Sequence, residues 1–412
     1  MRWRNYKLRR DSARLISVGH EGRAMNDSSD SVAPNEASLQ PLFAPFRVRA
    51  AALANRTVMA PMTRSLSPQG VPGEEVAAYY RRRAEGGAGL IITEGTWIPH
   101  PGASNDENVP DFFGEAALAG WRRVVEGVHA AGGVIMPQLW HVGLIRKQPS
   151  LAYPQGEPAA PRQLGPSGVT GGHGWPLEVD RAPMTLEDIG AVIDAFATAA
   201  QAAQALGFDG VELHGAHGYI IDQFLWDLTN RRGDRYGGGG RDRATFAAEI
   251  VAEIRSRTGP DFPILFRYSQ WKSHDYDARL VEGPQDLEAM LGPLVDAGVD
   301  LFDCSQRRFW EPAFDGSDLN LAGWTKRLTG KPSMTVGSVG LDVDFMTSLF
   351  VRGTRPKVTR LDEMLRRLER GDFDLVAVGR ALLADARWVE KVRAGRLAET
   401  ETFTAHALKT LS

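Results

Sequence analysis

From Thr57 to Arg380 the chain repeats one pattern eight times: a short apolar run rich in β-formers, then a longer stretch. The runs are TVMAPM (57–62), GLIITEG (89–95), GVIMPQLWH (133–141), GVELHGA (210–216), PILFRYS (263–269), DLFDCSQ (300–306), PSMTVGSV (332–339) and DLVAVGR (374–380). Between them lie segments of helical periodicity, clearest over 185–206, 242–257 and 284–297. The first of these opens on Thr185 with Asp188 three residues on, the spacing of a capping box. Strands that alternate with helices pair in parallel. Eight such units with no dinucleotide-binding fingerprint predict an α/β fold of one closed (β/α)8 barrel, the TIM barrel, and 412 residues fit a single barrel.

The barrel is expected to occupy residues 39–412. Residues 1–38 read as a disordered extension: Arg2, Arg4, Lys7, Arg9, Arg10, Arg14 and Arg23 crowd the start, and a polar stretch, MNDSSDSVAPNEAS, follows from Met25. A net charge of -3 with 43% hydrophobic residues gives no bias toward nucleic acid or a membrane surface. The single cysteine, Cys304, excludes an internal disulfide, a cysteine-rich zinc site and a four-cysteine cluster, and suits a reducing, cytoplasmic setting. No apolar run is expected to reach the roughly 20 residues of a membrane span.

Polar side chains gather where the strands end. Thr63, Glu94, Gln138, His141, His214, His217, Arg267, Ser305 and Arg380 all fall at or just beyond a C-terminal strand end. That is the face on which barrels of this class carry their active sites, so the set reads as a site. Two insertions leave the same face. Residues 142–184, rich in Gly and Pro, are expected to form a lid, with Trp175 offering an apolar contact; residues 341–358 either brace the site or decorate the surface.

Several segments, in order, resemble the Old Yellow Enzyme family of FMN-dependent ene-reductases: LFAPFRVRAAALANRTVMAPMTR, GLIITEGT, QLWHVG, GFDGVELHGAHGYIIDQFLWDLTNRRGDRYGG, LFRYS, TVGSV and VAVGRALLAD. The resemblance runs from Leu42 to about Val392. It implies FMN held non-covalently at the C-terminal mouth of the barrel, NADPH or NADH as reductant, and activated alkenes as substrates, with phenols as ligands. For the FMN phosphate it implies Gly337, Ser338, Gly379 and Arg380. At the flavin ring it implies Gln138 and Gly95 along the pyrimidine, Pro61 and Met62 packed on the ring, Thr63 near the reactive nitrogen and Arg267 as a cation favouring the reduced form.

His214 and His217 would donate to a substrate oxygen that gains negative charge as hydride reaches the β-carbon. Tyr219 would protonate the α-carbon, and Trp140 would wall the pocket. Two other classes remain open on the residues alone: a metal-dependent barrel hydrolase or lyase using His214 and His217, and a non-catalytic flavin-binding sensor. The chain departs from the family pattern at GGGGRDR (237–243), where Arg241 and Arg243 stand in for a structural contact, at Gly233, and in the C-terminal TETFTAHAL.

Overall fold

The computed structural model describes residues 36–145, 163–172, 175–179, 181–344, 348, 356–357, 359 and 361–412. The expected disordered extension lies outside them up to residue 35. The first helix, α1 (Glu36–Phe43), begins ahead of the expected boundary at 39.

All eight expected runs are strands of one barrel. They are β3 (Thr57–Met59), β4 (Leu90–Trp97), β5 (Ile135–Trp140), β8 (Val211–His214), β9 (Ile264–Ser269), β10 (Leu301–Ser305), β11 (Ser333–Val336) and β12 (Leu375–Val378). Every neighbouring pair is parallel, and β12 pairs β3 to close the ring. Four of them, β3, β8, β11 and β12, stop two or three residues short of their apolar runs, because the chain leaves the ladder to form the turns that carry the polar residues.

Among the described residues two hairpins lie outside the ring. In the first, β1 (Phe46–Val48) pairs antiparallel with β2 (Ala51–Leu53). Its Val48, Ala51 and Leu53 join Val58, Leu90, Leu265, Leu301 and Leu375 in the barrel's inner core. The second, β6 (Val169–Gly172) with β7 (Trp175–Val179), lies inside the expected lid; the Trp175 side chain and residues 146–162 are outside the described residues.

Strand pleating decides what faces inward. On β10, Leu301 joins the inner core while Phe302 and Cys304 join the outer core between strands and helices. Asp303 and Ser305 then share the inward parity of Leu301, as Arg267 shares that of Leu265 on β9. Apolar inward residues fill the lower layers, and polar ones take the top.

After α2 (Glu74–Glu85) and α3 (Glu115–Ala130), the helices expected over 185–206, 242–257 and 284–297 are α4 (Leu186–Leu206), α6 (Gly240–Arg243) with α7 (Thr245–Thr258), and α8 (Pro284–Ala297). One expectation needs correcting: α4 is long and apolar enough by length and composition to cross a membrane. Its alanine-rich sequence has another use, since Ala195, Phe196, Ala199, Ala200 and Ala203 are buried and the helix packs along α7.

The capping box at its start is complete, with Asp188 N–H donating to Thr185 Oγ1 at 3.1 Å and Thr185 N–H to Asp188 Oδ2 at 2.8 Å. Thr185→Ala is therefore expected to cost about 1 kcal/mol, read as a lower midpoint in chemical denaturation; an unmoved midpoint would show that this cap adds nothing.

Candidate active site

At the C-terminal mouth of the barrel lies a cavity of about 360 Å³. Seven of the nine strand-end polar residues line it: Thr63, Gln138, His214, His217, Arg267, Ser305 and Arg380. Pro61, Met62, Tyr219, Gly337, Ser338 and Gly379 line it as well.

The other two strand-end residues turn away to hold loops. Glu94 accepts from the backbone N–H of Arg64 at 2.8 Å and of Ser65 at 3.1 Å, fixing the turn that follows Thr63, and burial raises its carboxyl to about 7. His141 is wholly buried. Its Nδ1 accepts from Gly143 N–H at 3.0 Å, so Nε2 carries the proton and faces His100 Nδ1 at 3.1 Å.

Gly95 and Trp140 are also off the cavity wall. A Cβ at Gly95 would lie 2.4 Å from Trp140 Cε3, so this glycine makes room for the indole. Trp140 in turn stacks on Trp97 at 4.3 Å and meets Tyr219 edge-on at 4.7 Å, which makes it a backing for the site.

The floor is a polar cluster on four neighbouring strands. Gln138 Nε2 donates to Glu212 Oε1 at 2.8 Å, and Arg267 Nε lies 3.0 Å from Asp303 Oδ2. The second contact is an ion pair by distance, with the N–H pointing off the hydrogen-bond line.

Above it, His214 and His217 meet edge to face at 5.1 Å. Burial first, and then the Arg267 charge, hold both imidazoles well below their ordinary pKa, so both are neutral at pH 7. His214 Nδ1 accepts from Ala216 N–H at 3.4 Å, which leaves the proton on Nε2. His217 Nε2 lies 2.9 Å from Ser305 Oγ. The Tyr219 side chain is half-buried at the cavity wall, and desolvation of its phenol raises the pKa further above 10, with the Tyr276 phenol adding to the rise.

The loops after β11 and β12 close one side of the cavity, at the place where (β/α)8 barrels frequently bind phosphate. Gly337 has φ +143° and Ser338 φ +55°, the latter uncommon for a residue with a side chain. Arg380 holds Ser338 in place: its Nη2 donates to Ser338 Oγ at 3.1 Å and to Val343 O at 2.6 Å, while Nη1 reaches Ser348 Oγ at 3.1 Å. Burial lowers this guanidinium to about 10. The described part of the 341–358 insertion therefore braces the site.

Sequence reading missed Trp271, Tyr276, Gln306, Arg307 and Leu408. Trp271 stacks on His217 at 4.2 Å, Tyr276 stacks on Trp271 at 5.1 Å, and the Arg307 guanidinium lies 5.2 Å from the Tyr276 ring centre. The available signal was two aromatics in the connection that leaves the site face after β9.

That connection is anchored by a buried ion pair. Lys272 Nζ lies 2.6 Å from Asp222 Oδ1 on α5 (Ile220–Leu225), and both side chains are fully buried. Asp222 Oδ2 also accepts from Gly218 N–H at 2.5 Å, and Ser273 N–H donates to His217 O at 3.0 Å. His217 is thereby kept at φ +64°. At the departure sites, Arg243 donates to Leu225 O at 2.8 Å, whereas Arg241 reaches only the exposed Asp296 at 3.5 Å.

The closed parallel ring, with a cavity at its C-terminal strand ends and a buried arginine in that cavity, places the chain in the class of (β/α)8 barrels. Residues 41–347 match the model of the NADH:flavin oxidoreductase / NADH oxidase family. The chain belongs to this family, the FMN-dependent Old Yellow Enzyme group.

Among relatives, it is 33% identical over 365 residues to an NADH oxidase of Thermoanaerobacter brockii, covering 86% of this chain and 51% of that one. It is 30% identical over 355 residues to 12-oxophytodienoate reductase 2 of Arabidopsis thaliana, covering 81% and 92%. The chain thus spans about half the length of the first of these. Morphinone reductase in complex with tetrahydroNAD superimposes with a TM-score of 0.70 at 28% identity, covering 89% of this chain and 93% of that one.

Removing one partner of a buried ion pair strands the other charge. Lys272→Met is expected to cost about 3–5 kcal/mol, and the double variant Asp222→Leu/Lys272→Met should regain much of that in denaturation. A single variant as stable as the parent would contradict the pairing.

Proposed function

We propose that the chain is an NAD(P)H-dependent ene-reductase acting on the C=C bond of α,β-unsaturated carbonyl or nitro compounds in two half-reactions. The observation that carries this reading is the convergence of two imidazoles, His214 and His217, and the Tyr219 phenol on a cavity floored by Arg267.

The residues fit FMN. Two strand-end loops, a left-handed Ser338 and a buried arginine match a phosphate, while Gln138 and Arg267 offer an amide and a fixed cation to a pyrimidine edge. FMN bound there supplies hydride exchange between a nicotinamide and the alkene.

The protein's part is position and protons. His214 presents Nε2–H without carrying positive charge, so it stabilises a developing enolate oxygen by hydrogen bonding. His217 does the same once the ligand replaces Ser305 as its partner. Tyr219 keeps its proton across the neutral range because burial opposes ionisation, and so can donate it to the α-carbon. The metal-dependent alternative fares worse on electrostatics, since the Arg267 guanidinium that depresses both histidines also repels a cation held between them. The sensor alternative gives no role to the Tyr219 phenol.

Phenolates imitate the enolate, and binding them should use the same donors. His214→Ala is expected to weaken phenol binding by about 1–3 kcal/mol, followed as the long-wavelength absorption of the phenol complex; unchanged affinity would remove His214 from the oxyanion site.

Tyr219→Phe tests the reaction itself. Flavin reduction by NAD(P)H needs no acid at carbon and should stay nearly intact, whereas reduction of a cyclic enone should slow by about 10²- to 10⁴-fold. In the parent, the enone half-reaction should stay flat from pH 7 to about 10, because the folded Tyr219 pKa is raised above the ordinary phenol value of about 10 and the acid form persists. Rapid-mixing kinetics reads both. Equal slowing of the two half-reactions, or a rate that falls through pH 8–9, would take the proton donor's role from Tyr219.

A further inference from the structure

The floor of the cavity holds more acid than its single cation balances. Glu212 on β8 and Asp303 on β10 are both completely buried, on either side of Arg267 on β9. Glu212 Oε1 has Gln138 as donor, but with both carboxyls ionised Glu212 Oε2 and both Asp303 oxygens have no hydrogen-bond donor. Ionised carboxyls only accept, so two of them can satisfy each other only when one carries a proton. Unprotonated, the trio of Glu212, Asp303 and Arg267 would bury a net charge of about -1 in low dielectric, which is costly.

We propose that Glu212 and Asp303 share one proton beneath the cavity, Glu212 as the acid and Asp303 as the carboxylate facing Arg267. The pair thereby sets how much of the arginine's charge acts on the bound cofactor. Directions of titration agree: burial, then the neighbouring Asp303, push Glu212 well above the usual carboxyl range, whereas Asp303 is raised by burial but pulled back by Arg267 and by a hydrogen bond from Glu212. The charged and titratable groups acting on the pair are Arg267 and each other, with Gln138 as the polar neighbour. Both acids act through Arg267 and are positioning residues. The inference rests on the reading of Arg267 as the cation beside the FMN pyrimidine.

Charge counting separates the two acids. Asp303→Asn removes the carboxylate, leaves Arg267 uncompensated and should favour reduced FMN. The ratio of dissociation constants for oxidised and reduced FMN is expected to rise at least tenfold, a midpoint shift of about +30 mV for a two-electron couple. Glu212→Gln replaces a neutral acid by a neutral amide and should move that ratio less than threefold. An unmoved ratio in Asp303→Asn, or an equal rise in both variants, would overturn the assignment.

Infrared spectroscopy reads the pair without any flavin and without the Asp303 variant. The parent should show a protonated carboxyl C=O band at pH 7 that Glu212→Gln removes, and no such loss would overturn the proposal. A chain that retains no FMN at all would sink the reading of the cavity, while bound FMN with unshifted ratios would sink only the shared proton.

Discussion

One positive charge on the barrel strands, the Arg267 guanidinium, organises the floor of the site. Arg267 is buried at the top of the inner core, where its charge is weakly screened, so each polar group nearby must either compensate it or avoid adding to it. Asp303 compensates it. His214 and His217 avoid adding to it by staying neutral, which burial alone already favours and the guanidinium reinforces. For an oxyanion site this outcome is useful: a neutral imidazole offers an N–H without drawing a counter-charge into the cavity, and the fixed cation remains directed at the floor.

The pleat of the strands explains how so many polar groups reach one place without damaging the core. On β9 and β10 the inward positions run Leu265, Arg267, Ser269 and Leu301, Asp303, Ser305, while the outward positions between them are Phe266, Tyr268, Phe302 and Cys304. One residue of register slip would send Arg267 and Asp303 into the helix layer and Phe266 into the cavity. Evenness along the strand, set by backbone geometry, therefore separates the chemistry at the mouth from the apolar packing below and outside it.

This regularity is also what made the fold and much of the site readable from sequence. Eight β-rich runs with polar residues at the same end specify both the barrel and the face that works, and Gln138, His214, Arg267 and Ser305 follow from strand position. Where the sequence reading strayed, a local contact outranked position. Glu94 and His141 sit at strand ends yet turn to satisfy the backbone of the next loop, and Gly95 serves the Trp140 ring. Trp271, Tyr276 and Arg307 were hidden because loop residues have no periodicity; only the folded connection shows which of its side chains turn inward. In α4 the composition misleads for the opposite reason, since an alanine-rich helix packed against α7 and a membrane helix satisfy the same length and hydropathy rule.

The aromatic wall shows how a loop can be as well fixed as a strand. Trp271 and Tyr276 lie in a connection without regular structure, yet the segment is held at Lys272 by a charge pair with no exposed atoms and at Ser273 by the His217 carbonyl. Pulling Lys272 out would expose a gap beside Trp226, over whose ring the ammonium sits at 5.2 Å, and would leave Asp222 without its cation. The same Asp222 accepts from Gly218, the residue between His217 and Tyr219. One buried ion pair thus ties the aromatic wall and the His-Gly-Tyr turn together, so the aromatic wall and the Tyr219 phenol keep a fixed relation. The left-handed His217 is held by its own backbone on both sides, its N–H donating to Ser269 Oγ at 3.0 Å and its carbonyl accepting from Ser273 N–H at 3.0 Å.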